Sequence, residues 1–159
     1  LINQKNCNMS FSGLKTALKR KINNLTIDRG ALREMDIEDL CASFQNAIVN
    51  IFVTKTKRAM TFFRNLNPTV VPTIAIAGGV AANKSISRAL SKEAQNLGFN
   101  FIVPHPKLCT DNAAIIASAG GELFISGKIS DDALTPRPRW PLDENANPMI
   151  GSGKKGRKA

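Results

Sequence analysis

Apolar residues recur at helical spacing over much of this chain. Leu14, Leu18 and Ile22 stand four apart, which puts them on one face of a helix. Ser10 or Ser12 stands where an N-cap belongs. The spacing predicts a short helix ending near Ile22, and the polar stretch from Asn23 to Met35, with Gly30 inside it, reads as a loop. The longest run begins at Asp36: Ile37, Leu40, Cys41, Phe44, Ile48, Phe52, Ala59 and Phe63 keep the period to about Leu66. About 28 residues of it at ~1.5 Å each predict a helix of roughly 42 Å. Asn67-Pro68 ends it, and Pro72 to Ala77, short, apolar and β-branched, reads as a buried strand. Gly78-Gly79 turn the chain into an amphipathic helix carrying Ile86, Ala89, Leu90 and Leu97, closed by Gly98. Phe99 to Val103 reads as a second strand and Pro104 to Cys109 as a loop. A small-residue helix, about Asn112 to Ser126, follows a cap at Thr110-Asp111.

Beyond that helix the pattern fades. Pro136 to Pro141 reads as extended, and residues 151–159 (GSGKKGRKA) read as a flexible basic tail. Residues 1–150 are therefore expected to form one folded unit. Strand–helix–strand–helix predicts an α/β fold with a parallel pair. Two strands are fewer than an open sheet normally holds, and the helical content exceeds what they could cover, so further strands are expected from outside this chain.

Charge alters the picture. The 159 residues carry 22 Lys and Arg against 12 Asp and Glu, a net +10, which favours an anionic partner such as nucleic acid. Residues 1–67 are net +6, 68–135 net zero and 136–159 net +4. Lys55, Lys57, Arg58 and Arg64 gather toward the C-terminal half of the long helix, where the helix dipole favours cations. They read either as a solvated face or as a nucleic-acid footprint. Cys7, Cys41 and Cys109 lie far apart with no CxxC pair, which points to free thiols in a reducing compartment. Neither a membrane span nor a signal peptide is visible, so a cytoplasmic protein is expected. A single histidine, His105, excludes an HExxH site.

Three segments could carry chemistry. In AGGVAAN (77–83), Gly78 and Gly79 let backbone approach a ligand closely, and Asn83 offers a donor and acceptors for a base or ribose. The same residues would also serve as a tight turn with Asn83 as N-cap. Asp111, at the start of the last helix, is a carboxylate just past a strand end, where ligands of open α/β sheets collect; Thr110 or Asp111 could equally be a cap. His105, Cys109 and Asp111 make a thin case for a self-contained metal site. In SFSGLKT (10–16), hydroxyls, Gly13 and Lys15 stand at a helix start where a phosphate could be held. Arg137 and Arg139 flank Trp140, a core strap or a stacking platform.

Taken in order, SFSGLKTA (10–17), DIEDLCASFQNAIVN (36–50), IAIAGGVAAN (74–83), LCTDNAAIIASAG (108–120) and RPRWPLD (137–143) resemble the C-terminal part of the TsaD-type tRNA N6-adenosine threonylcarbamoyltransferases, formerly called glycoproteases. The resemblance implies the C-terminal lobe of an actin-like ATPase, ribonuclease-H-like fold without its N-terminal lobe. It implies transfer of threonylcarbamoyl from its adenylate to the adenosine next to the anticodon of ANN-decoding tRNAs. One divalent metal, iron or zinc, would be held by two histidines of an HxxxH motif and an aspartate. By motif position that aspartate is Asp111, and Asn83, with Gly78 and Gly79, would contact the adenylate. No HxxxH occurs here, so the chain alone is expected to be incomplete and inactive. Lys15, Arg137 and Arg139 would be tRNA contacts. The implied partners are a catalytically silent, TsaB-like relative, a small TsaE-like P-loop ATPase and a synthase supplying the adenylate. Two rivals stay open: a non-catalytic tRNA-binding or assembly module, and an ATP-dependent phosphotransferase of the same superfamily.

Overall fold

A computed structural model of the chain describes residues 2–128. The chain divides into two compact units, 1–115 and 116–159. Arg137, Arg139, Trp140, the basic tail and the boundary expected at residue 150 lie outside the described residues.

In the first unit, α1 (Leu14–Arg29) leads through a short link to α2 (Glu34–Leu66), a 33-residue helix about 50 Å long. Strand β1 (Thr73–Ala75) follows, then a 3-10 turn (Gly79–Ala82), α3 (Lys84–Asn96) and strand β2 (Asn100–Ile102). A second 3-10 turn (Pro106–Leu108) precedes α4 (Ala113–Ile125), which runs on into the second unit. The strands pair in parallel, with Thr73 opposite Asn100, Ile74 opposite Phe101 and Ala75 opposite Ile102. The β1–α3–β2 crossover is the α/β unit that the alternation of elements predicts.

The core is small. Met60 from α2, Ala94 from α3 and Phe99 at the head of β2 are buried together, with Ile74, Leu97 and Phe101 packed against them. Phe99 also meets the Phe63 ring edge-on at 6.2 Å. Both strands show only their middle residue half-buried, while Thr73, Ala75, Asn100 and Ile102 are exposed. This corrects the expectation of buried strands: among the described residues α2 and α3 cover one face of the pair, whereas parallel strands are usually covered on both.

Helix α1 corrects a second expectation, since it runs seven residues past Ile22. Nothing between Asn23 and Arg29 breaks a helix: Thr26 returns its hydroxyl to the Ile22 carbonyl at 3.0 Å, and Gly30, at φ +77°, ends the element. Its N-cap is Gly13, without a side-chain cap; Ser10 and Ser12 bond each other at 3.1 Å instead.

The cations of α2 make contacts within the fold, Lys57 and Arg64 while remaining exposed and Lys55 while buried. Lys55 is buried and donates to the carbonyls of Gln4 (3.0 Å) and Asn6 (2.9 Å), and Arg58 also donates to Gln4. Burial, aided by the Arg58 charge, pulls the Lys55 ammonium below its usual range, and Cys7 opposes this. Lys57 pairs with Glu93 of α3 at 2.6 Å. Arg64 donates to the carbonyls of Leu97 and Gly98 and lies over the Phe99 ring, 5.3 Å from its centroid. A side chain at Gly98, whose φ is +67°, would sit 3.3 Å from that guanidinium. These four cations fasten the N-terminal segment and α3 to the long helix. Lys55→Met leaves the Asn6 carbonyl without its donor and the Gln4 carbonyl with Arg58 alone, so residues 2–9 should exchange amide hydrogens and be cut by protease faster, while β1–α3–β2 keeps its protection.

The start of α2 is fixed by Asp36. Its buried carboxylate accepts from the backbone N–H of Arg33 (3.1 Å), from Arg33 Nε (2.9 Å) and from Arg29. The Arg33 guanidinium holds Asp36 far below its ordinary 3.8, Arg29 adding to this against the cost of desolvation. A carboxylate with a depressed folded pKa stabilises fully above its unfolded value and loses that contribution as pH falls below it. Stability should therefore decline from about pH 4 downward. Urea titrations of Asp36→Asn should show a lower midpoint at neutral pH and a smaller loss between about pH 5 and about pH 3.

Candidate nucleotide-binding cavity

Three of the residues singled out from sequence converge on one cavity. It measures about 650 Å³ and is bounded by the first turn of α1, the middle of α2 and the glycine turn before α3. Lys15, Gly79 and Asn83 line it, alongside the aromatic residues Phe11, Phe44 and Phe52. Phe11 and Phe52 are in ring contact, centroids 5.2 Å apart. Predominantly apolar walls with a few polar groups suit an aromatic base whose polar edges are read at one end.

The glycine turn owes its shape to backbone. Gly78 has φ +80° and ψ 176°, a conformation that a residue with a Cβ adopts only under strain. No atom lies within 4 Å of a Cβ built at Gly78 or Gly79, so the turn is open above both. Gly79 lines the cavity, and Gly78 adjoins it as the N-cap of the 3-10 turn.

Asn83 is the N-cap of α3 and stands in the cavity wall. Its Oδ1 accepts from the backbone N–H groups of Ser85 (3.0 Å) and Ile86 (3.2 Å), capping α3. The cap holds the side chain in place at the cavity wall and leaves Nδ2 to donate. Gln45 of α2 ties the same corner down by donating to Ser85 Oγ at 2.8 Å. Lys15 approaches from the first turn of α1, which carries no acidic residue.

Asp111 stands apart from this group. It is exposed, and among the described residues it makes no hydrogen bond or ion pair. The cap of α4 is Asn112, whose Oδ1 accepts from Ile115 N at 3.1 Å, so neither Thr110 nor Asp111 caps it. Cys109 is buried with its thiol against the Pro104 carbonyl at 3.6 Å, and His105 Nδ1 accepts from Lys107 N at 3.4 Å. His105, Cys109 and Asp111 form no trio, and no three His, Cys, Asp or Glu among the described residues gather around a common point. All three cysteines are free. No helix among the described residues is long and apolar enough to cross a membrane.

The sequence was compared with known proteins. The model of the family described as "TsaD: tRNA N6-adenosine threonylcarbamoyltransferase" matches residues 1–118. The chain belongs to this family. Curated relatives named tRNA N6-adenosine threonylcarbamoyltransferase match it throughout: one from Ruegeria pomeroyi is 49% identical, and others from Cereibacter sphaeroides and Paracoccus denitrificans are each 46% identical. Each alignment covers all 159 residues of this chain and 43–44% of the relative. The chain thus spans less than half the length of these threonylcarbamoyltransferases. The alignments include the basic tail, which therefore has a counterpart in them. The family match takes in Lys15, Gly78, Gly79, Asn83 and Asp111; Arg137 and Arg139 lie beyond it. What sequence reasoning missed is the aromatic wall: Phe11, Phe44 and Phe52 had helical or capping neighbourhoods that explained them without a ligand.

Proposed function

We propose that this chain supplies the adenylate-holding face of a tRNA N6-adenosine threonylcarbamoyltransferase, acting with sequence that the chain does not include. The observation behind this reading is the convergence of Lys15, Gly79 and Asn83, in a chain of this family, on one cavity walled by aromatic rings. The adenine of threonylcarbamoyl-adenylate would lie among those rings. Asn83 Nδ2 would donate to the nucleoside, the open backbone at Gly78 and Gly79 would let it approach closely, and Lys15 would face the phosphate. Held in this way, the carbamoyl carbon is presented to the exocyclic amine of the target adenosine, and positioning supplies much of the rate.

The free carboxylate of Asp111 fits the chemistry of one oxygen ligand to a divalent iron or zinc ion. Further ligands would have to come from outside the described residues. Such an ion supplies Lewis-acid polarisation of a carbonyl or carboxylate when bound. TsaB-like and TsaE-like accessory proteins and a synthase for the adenylate complete the proposed system, with tRNA bound partly through Lys15, Arg137 and Arg139.

The test is a chimera in which this chain replaces the matching 43% of the Ruegeria pomeroyi relative, assayed for threonylcarbamoyl transfer to an ANN-decoding tRNA with accessory proteins present. Transfer by the chimera, lost in Asp111→Ala, supports the reading. An inactive but folded chimera that still binds tRNA would favour the non-catalytic binding module.

A further inference from the structure

Residues 68–135 have no net charge, and that balance conceals a one-sided arrangement. Lys84, Arg88 and Lys92 stand at i, i+4 and i+8 along α3, and all three are exposed. The opposite side of the helix, Ile86, Leu90 and Ala94, is buried in the core. The only acid on α3, Glu93, pairs with Lys57 of α2. The remaining acids of this stretch all lie at or beyond Asp111. Among the described residues, none of the three cations has an ion pair or hydrogen-bond partner for its side chain.

This row works against the helix that carries it. Like charges four residues apart repel, and Lys84, at the first position of a helix with no acid in its first turn, opposes the dipole. Several other cations are neutralised or engaged: Arg29 and Arg33 with Asp36, Lys57 with Glu93, Arg64 and Lys55 with carbonyls. The exposed Lys15, Lys19, Arg20 and Lys21 of α1 share the lack of a partner among the described residues but do not adjoin Asn83 along one helix as the α3 row does. Such an exposed, uncompensated row is electrostatically complementary to a polyanion.

We propose that the solvent face of α3, through Lys84, Arg88 and Lys92, docks the phosphodiester backbone of single-stranded RNA beside the cavity. The inference rests on the tRNA-modifying reading above and specifies where the RNA runs. Successive cations are about 6 Å apart along the axis, close to the step between phosphates of an extended strand. The row starts at Lys84, next to Asn83 in the cavity wall, so a strand laid along it leads a flanking base to that opening. A membrane surface is the poorer fit, because an interfacial helix needs its apolar side free and this one is buried in the core.

The test is fluorescence anisotropy of the full 159-residue chain with a labelled unmodified transcript of an ANN-decoding tRNA, over a range of salt. Each single-strand phosphate contact adds about 0.7 to the slope of log affinity against log salt. Lys84→Gln/Arg88→Gln/Lys92→Gln should therefore flatten that slope by about 2, with unchanged or raised thermal stability. Lys84→Arg/Lys92→Arg should bind like the parent, and neutralising the dispersed Lys5, Lys107 and Lys128 should change the slope much less. An unaltered slope in the α3 triple overturns the inference, as does an equal loss in the dispersed triple. Unchanged tRNA binding with lost binding to phosphatidylserine vesicles overturns it in favour of a membrane. If the parent chain binds no tRNA, this inference falls and the transfer assay of the chimera decides the tRNA-modifying reading; if the parent binds and the α3 triple is unaffected, that reading stands without this surface.

Discussion

Phe99→Ala is expected to cost about 3–5 kcal/mol and to bring the first unit close to unfolding. Phe99 sits at the junction of three elements: it heads β2, packs on Met60 and Ala94, meets Phe63 edge-on and carries the Arg64 guanidinium over its face. Truncation removes the aromatic pair and the cation–π contact together with the buried surface. The cavity it leaves lies between two helices that Lys57–Glu93 and the Arg64 bonds hold in place, so collapse to fill it is hindered. A domain of ordinary size has about 5–15 kcal/mol in all, and this core is small. Urea unfolding followed by far-UV circular dichroism gives the measurement. A loss below about 1 kcal/mol would mean that the α2–α3–β2 junction is not what holds the unit together.

Asn83 offers a sharper separation of structure from function. Asn83→Asp keeps an acceptor for the Ser85 and Ile86 amides and places a negative charge at the N-terminus of α3, where the dipole favours it. Stability should be unchanged or slightly raised. The donor Nδ2 is lost at a cost of about 0.5–1.5 kcal/mol for a hydrogen bond to the neutral nucleoside, and the new carboxylate repels the anionic ligand, so adenylate affinity in the chimera should fall about tenfold or more. Asn83→Ala should combine a cap loss of about 1 kcal/mol with weaker adenylate binding. Unchanged transfer by Asn83→Asp would confine Asn83 to capping and remove the main polar contact from the proposed adenylate site.

The parts of the fold that were legible in the sequence are those in which hydrophobic period and glycine placement agree. The long helix, the strand–helix–strand unit and its parallel pairing all follow from such agreement. The second half of α1 was illegible because polar residues such as Asn23, Asn24 and Asp28 resemble a loop, and only the absence of a breaker before Gly30 tells otherwise. The capping residue of α4 shifted by one because Thr110, Asp111 and Asn112 are all competent caps, and sequence does not rank them. Burial of the two strands was overread, since a short apolar run does not state how many of its faces are covered. Within the site, the capping of α3 by Asn83 and the turn at Gly78-Gly79 were legible, and the structure adds that this cap sits at a cavity wall. The meeting of Lys15 with Asn83, separated by most of α1 and all of α2, depends on tertiary packing alone. The internal use of Lys55, Arg58 and Arg64 was hidden for the same reason: their acceptors are backbone carbonyls, which leave no mark in sequence.

The Lys55 clamp also bears on how the chain folds. The β1–α3–β2 unit closes within about thirty residues, and such near-neighbour contacts form early because little chain entropy is lost in making them. The bonds from Lys55 to Gln4 and Asn6 span 51 and 49 residues and require α2 to be in place first. The N-terminal segment should therefore dock last. Lys55→Met should speed unfolding while leaving the refolding rate nearly unchanged, the kinetic mark of a contact absent from the transition state.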